Sequence, residues 1–369
     1  MTPLLLMQVL CVEHVLTVYG MTHVVLVYAL LSRILSVLCS VIPVIFFNTG
    51  VPGAIIGLTL ASFGSFLVGM RLLTLPFKDV TRRKTDLTTA DILRFSMPVF
   101  SSSLYGFVIG SASQFFVSRY LGVENFAMFA NGYRELPIAG IVIGAVAGIL
   151  LPEFSRMTKG GSDSKQYLVL WKNVVLKSAA VIYPFSLYCC IFAPEIMGVL
   201  YGTVYREAAD LFRIVTIINL VRIVPYGPIM FALGKGKIFA KAHLVTALLL
   251  LGLDFLCVTF FPSLSAIAII ATTTTVFCLV VLMVSTARLL NTGLSRLMPW
   301  KSMFKILSVS TFSCFLGSCA VNLIGVTRDF PALLSGFLIS IVIYLPLSYI
   351  AGINYARLLK PLVSTNQRK

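Results

Sequence analysis

The sequence predicts an all-α fold, a bundle of about eleven transmembrane helices, and three observations carry that expectation. Of the 369 residues, 58% are hydrophobic and only 11% are charged, with a mean hydropathy of +0.97, a composition outside the range of soluble domains. Apolar runs of about 20 residues recur along the chain, each long enough to cross a hydrocarbon layer of roughly 30 Å. Basic residues gather in every second connector, as they do in a chain threaded back and forth through a bilayer. A membrane β-barrel would need alternating segments of about ten residues, and these runs are longer and apolar all round.

Taken in order, the spans cover residues 3–19, 24–47, 51–74, 95–118, 130–153, 174–193, 211–233, 240–260, 265–289, 303–324 and 332–353. The first lacks a basic leading region and carries Glu13 and His14, so it does not read as a cleaved signal peptide. The second is apolar except for one stripe, where Arg33 shares a side with Ser32, Ser36 and Ser40. The third ends at Arg71 and a basic connector. The fourth bears a row of small residues, Ser102, Gly106 and Gly110, and the fifth a second row, Gly140, Gly144 and Gly148. Rows at this spacing let helices approach closely in lipid, so the fifth-span row is expected to be buried against another helix. That span opens with Tyr133-Arg134-Glu135-Leu136-Pro137, where adjacent Arg and Glu partly neutralise each other and proline suits a first turn.

The sixth span is plain. The seventh is the most polar: Thr216, Asn219, Arg222 and Tyr226 fall within roughly 120° of one another at about 100° per residue. Arg222 lies midway along it, where an unpaired charge costs at least ~2.5 to 3.5 kcal/mol, so it must face a partner or a watery cavity. Pro225 and Pro228 follow and should kink or open the helix. The eighth span holds Asp254, and the ninth a polar step from Thr272 to Thr275. The last two are again apolar. Buried Arg outnumbers buried acid, a balance that favours an anionic ligand.

The connectors set the topology. Lys78, Arg82, Arg83, Lys84 and Arg94 follow the third span; Arg156, Lys159, Lys165, Lys172 and Lys177 follow the fifth; Lys235, Lys237 and Lys241 follow the seventh; Arg288, Arg296, Lys301 and Lys305 surround the connector after the ninth; and Arg357, Lys360, Arg368 and Lys369 lie in the tail. The alternate connectors carry Arg119, Arg206, Arg213 and Arg328 beside Glu124, Glu195, Glu207, Asp210 and Asp329. By the positive-inside rule the basic segments and the C-terminus are cytoplasmic, and they bind anionic headgroups at about 1 kcal/mol per charge. The net charge of +16 is therefore a membrane feature and not a nucleic-acid footprint. All eight cysteines (Cys11, Cys39, Cys189, Cys190, Cys257, Cys278, Cys314, Cys319) lie in spans without metal-binding spacing and read as packing residues. The connectors are too short for an extramembrane enzyme domain, and no catalytic, metal or cofactor motif is present.

The order of features is that of a known group. Arg94-Phe95-Ser96-Met97-Pro98, Phe115-Phe116-Val117-Ser118-Arg119-Tyr120-Leu121-Gly122, Asn131 to Pro137 and Leu151-Pro152-Glu153-Phe154 resemble the start of the second half of the polysaccharide flippases. These belong to the multidrug/oligosaccharidyl-lipid/polysaccharide exporter superfamily, and the nearest branch resembled is the bacterial O-antigen repeat-unit (Wzx-type) flippases. The resemblance implies two facing lobes around a basic cavity, working by alternating access. It divides the chain into residues 1–77, a remnant of the first lobe with about three helices; 78–94, a cytoplasmic linker; 95–353, the second lobe with an extra helix pair; and 354–369, a basic tail. The first lobe would lack about half its helices, as in an N-terminally truncated product, a mis-called start or a remnant gene.

The implied function is translocation of an undecaprenyl-pyrophosphate-linked oligosaccharide across the cytoplasmic (inner) membrane, without a cofactor. Its partners are that lipid-linked glycan, membrane lipids and glycan assembly proteins. Guanidinium forks suit phosphate oxygens, which selects Arg33, Arg134 and Arg222 as candidates, with Glu135, Asn219, Tyr226 and Asp254 beside them. Three other readings stand against this one: a drug/cation antiporter of the same superfamily, which calls for buried acids in excess; a membrane-embedded polymerase or ligase of the same glycan pathway, which calls for a large outward loop; and a nonfunctional fragment.

Overall fold

A computed structural model describes residues 12–353 apart from residues 14, 18, 79–87 and 327. Most of the first expected span, the centre of the 78–94 connector and the 354–369 tail lie outside the described residues. The chain forms two compact units, residues 1–88 and 89–369, and the boundary falls within the 78–94 segment. Among the described residues every regular element is helical, as a hydrocarbon environment demands when backbone groups have no water to bond.

In the first unit, α1 (Thr22–Phe47) and α2 (Gly50–Leu72) form a hairpin. The two-residue link is tight because Asn48 adopts the left-handed conformation, with φ of 50°. Gly57 lies directly against the backbone carbonyl of Cys39, an approach that no side chain would permit. Tyr28 spans the same interface, its hydroxyl donating to the Ser65 carbonyl at 2.9 Å.

The second unit contains α3 (Thr89–Tyr120), α4 (Val123–Gly132), α5 (Pro137–Lys159), α6 (Ser164–Ile191), α7 (Ala193–Tyr201), α8 (Ala209–Thr216), α9 (Ile218–Val221), α10 (Gly227–Ala232), α11 (Gly236–Phe260), α12 (Leu264–Leu289), α13 (Leu294–Leu297), α14 (Trp300–Ile324) and α15 (Asp329–Ile350). Helix α11 packs between α3 and α12, α5 against α10, and α14 against both α6 and α15. The interior is centred on α6 and α8–α10, where Trp171, Ile182, Ile223, Ile229 and Met230 are fully buried. Large apolar side chains such as Phe107, Phe312, Leu323 and Val342 point outward, the inverse of a soluble protein and the arrangement lipid selects.

Nine described helices are long and apolar enough to cross a membrane, and they match the second to sixth and eighth to eleventh expected spans. The seventh, residues 211–233, is broken into α8, α9 and α10. The fifth begins at Pro137 instead of residue 130, because α4 ends at Gly132 and Tyr133 to Leu136 form a break. Proline at the first position of α5 holds Leu136 extended, at φ −65° and ψ 121°.

One packing expectation is overturned. Gly140, Gly144 and Gly148 are exposed, and a Cβ placed on any of them would meet nothing within 4 Å among the described residues. Gly106 and Gly110 are equally open. Small residues mark either a close approach or a space, and here they mark space. The tightly packed glycines of this unit lie elsewhere, among them Gly336, which sits against the ring of Phe192.

Arg206 pairs with Asp329 and Gly198 adjoins the same carboxylate, which brings the connector after the sixth expected span against the start of α15. A Cβ on Gly236 would lie 3.3 Å from Pro98, which brings the start of α11 against α3.

Candidate functional site

A cavity of ≈ 660 Å³ opens in the second unit, walled by α3, α4, α11, α12 and the two helix breaks. Its size is that of a small-ligand site, and its polar lining is unusual for a membrane bundle. Gly106 and Gly110 leave room on the α3 wall, with Ser113 and Gln114 beside them. His243 and Thr246 line the α11 side and Thr275 the α12 side.

The charges come from the breaks. Arg222 follows the short helix α9 in a non-helical conformation (φ −87°, ψ 70°) while its N–H still bonds the Ile218 carbonyl at 2.8 Å. Pro225 cannot donate a backbone bond, and Pro228 starts α10 as a first-turn proline. A carbonyl freed by the interruption, that of Leu220, receives the Tyr183 hydroxyl at 3.0 Å. On the other side, Tyr133 stacks on Phe129 with ring centroids 5.0 Å apart, and its hydroxyl meets Thr272 Oγ1 at 3.0 Å. These contacts present Arg134 and Glu135 to the cavity. Arg222 Nη2 donates to Glu135 Oε2 across the gap, with side chains 25% and 46% exposed. Arg222 Nε is buried and has no partner among the described residues.

Three of the sequence candidates therefore converge: Arg134, Glu135 and Arg222. Asn219, Tyr226 and Asp254 do not line the cavity. Asn219 is fully buried with both amide atoms unpartnered, and Tyr226 packs on Trp171 with ring centroids 5.5 Å apart. They turn inward because the break at residues 222–226 ends the regular helix whose single face was expected to carry all three residues. Asp254 sits just behind the wall, accepting a 2.6 Å bond from Ser113 and leaving its other oxygen unpartnered. Arg33 belongs to the first unit, where it is exposed on α1; the serines of its stripe are satisfied within the helix, Ser36 bonding the Ser32 carbonyl and Ser40 the Ser36 carbonyl at 2.8 Å each.

Gln114 and His243 were missed by sequence reasoning. His243, Thr246 and Asp254 recur at three and eight residues, which places them on one stripe at about 100° per residue. That stripe was the available signal.

A second cavity of ≈ 490 Å³ shares Asn131, Arg134 and Glu135 with the first. The rest of its wall is apolar, including Phe185, Met197, Leu200, Leu333 and Phe337 from α6, α7 and α15.

Residues 4–210 match the family model described as polysaccharide biosynthesis protein. A comparison with curated proteins finds no match. Among solved structures, the lipid II flippase MurJ in its inward closed conformation is similar, with a TM-score of 0.62 and 14% identity over 97% of this chain and 72% of that one. At that identity the likeness is one of fold.

Proposed function

This chain belongs to the polysaccharide biosynthesis protein family, and on that premise we propose that it is a flippase that carries an undecaprenyl-pyrophosphate-linked oligosaccharide across the cytoplasmic membrane. It is a multi-pass membrane protein with the fold of a lipid-linked-glycan exporter. The observation that carries the finer reading is the junction of the two cavities at Arg134 and Glu135. A lipid-linked glycan has an apolar chain, an anionic phosphate bridge and a polar sugar in that order. The apolar groove, the arginines and the polar cavity repeat that order in space. Arg222 and Arg134 would hold phosphate oxygens, which suit a planar guanidinium fork. Alternating access would then expose the cavity to each side in turn.

The direct test is reconstitution of the chain into liposomes with a fluorescent, short-chain polyprenyl-pyrophosphate saccharide. The expected result is translocation faster than in protein-free vesicles and competed by unlabelled substrate. Folded protein that gives no acceleration would overturn the proposal.

The orientation is proposed from charge: Lys159, Lys237 and Lys301 cytoplasmic, Glu124, Glu195 and Asp329 outside. In a background without native cysteines, single cysteines at 124, 195 and 329 should react with an impermeant reagent in intact cells. Those at 159, 237 and 301 should react only after permeabilisation. Outside labelling at 301 would sink this orientation.

A further inference from the structure

The ion pair between Arg222 and Glu135 raises a question that phosphate binding alone does not answer. An arginine meant for a phosphate is here already neutralised by a carboxylate from an interrupted segment 87 residues away. Among the described residues, Arg134, Glu135 and Arg222 are the charged side chains of the cavity wall. The resting wall therefore holds two cations and one anion.

We propose that Glu135 is a specificity-determining residue, an internal competitor that keeps singly charged phospholipids off Arg222 and yields only to a pyrophosphate. The inference rests on the flippase reading. A bilayer presents phosphodiester headgroups in large excess over any lipid-linked glycan, and the apolar groove beside Arg134 would admit their chains. A phosphodiester offers Arg222 one negative charge, which Glu135 already supplies from a tethered position at no cost in ordering. A pyrophosphate bridge offers a second phosphate and engages Arg222 and Arg134 together, so it gains where the phosphodiester does not. Specificity of this kind comes from a repulsive element placed against the wrong ligand.

The geometry suits displacement. Glu135 is 46% exposed and held on the break between α4 and α5, so its carboxylate has solvent to move into. Arg222 has one terminal nitrogen on Glu135 and a buried Nε with no partner among the described residues. Its fork is therefore only partly used at rest.

The test uses the full chain in nanodiscs of zwitterionic lipid and two probes, farnesyl pyrophosphate and short-chain phosphatidylglycerol. The unmutated chain is expected to prefer the pyrophosphate. Glu135→Gln should bind phosphatidylglycerol about five- to tenfold more tightly, the scale of one partly exposed charge pair, with a smaller gain for the pyrophosphate, so that the selectivity ratio falls. Glu135→Asp should keep the ratio, and Glu135→Gln combined with Arg222→Ala should abolish the gain. Glu135→Ser serves as a second neutral variant if Glu135→Gln folds poorly. A neutral variant whose selectivity is unchanged, or whose phosphatidylglycerol binding weakens, overturns the inference. If Arg222→Ala lowers pyrophosphate binding while neutral Glu135 variants leave selectivity untouched, only this inference fails. If Arg222→Ala leaves binding of both probes unchanged, the anion-site reading fails with it.

Discussion

Arg222→Ala is expected to lower transport per folded molecule by ten- to a hundredfold, the equivalent of losing one charge-assisted hydrogen bond of about 1.5 to 3 kcal/mol to the phosphate. The loss should be compounded electrostatically, since Glu135 would then face the incoming anion without its counter-ion. Arg222→Lys keeps the charge but not the fork, and its transport should fall between the two. Folded yield separates this from a structural role. The side chain is 25% exposed in a cavity, and the local break is held by Pro225, Pro228 and the Tyr183 bond to the Leu220 carbonyl. Most of the folded protein should therefore survive the substitution. Transport of lipid-linked glycan, normalised to monodisperse protein, is the measurement. Full activity of Arg222→Ala by that measure would remove Arg222 from the anion site, and a loss of folded protein matching the loss of transport would make it a structural arginine.

Gly57→Leu should cause a large loss of stability, because its Cβ would fall far inside van der Waals contact with the main-chain carbonyl of Cys39. A flexible side chain could rotate away, but a helix backbone cannot, so α1 and α2 must separate along their length. Overpacking a filled site costs typically about 1 to 3 kcal/mol, and here it also removes the close backbone contacts that replace the hydrophobic effect between helices in lipid. Gly144→Leu is the control: it adds the same side chain where nothing among the described residues lies within 4 Å, and should leave the melting temperature close to that of the unmutated chain. Thermal melts of both variants in one detergent decide the matter. Equal melting temperatures would show that the α1–α2 contact does not hold the hairpin together.

The two glycine positions show where sequence reading stops. Gly57 and Gly144 each stand in an apolar run, and nothing in either run distinguishes a backbone contact from an opening. The fifth-span row at 140, 144 and 148 was read as an interface on spacing alone, and among the described residues nothing comes within 4 Å of a Cβ placed on it. Only the position of the neighbouring helix decides between these outcomes.

The sequence by itself determined the helical membrane class, nine of the spans and the interruption at Pro225 and Pro228, since each depends on the residue's own chemistry: hydropathy against lipid, or a missing backbone donor. It also picked out Arg222 as a charge too costly to leave unanswered at membrane depth, and Arg134 and Glu135 as an adjacent pair opening the fifth span. Their grouping was beyond it. Adjacency suggested that Glu135 answers Arg134, yet at a helix break neighbouring side chains diverge, and the carboxylate reaches the arginine of another break. The same break turned Asn219 and Tyr226 into the core, away from the face a continuous helix would have given them. Tertiary structure decided these points because a helical period predicts a shared face only while the helix continues, and this site is built where two helices stop.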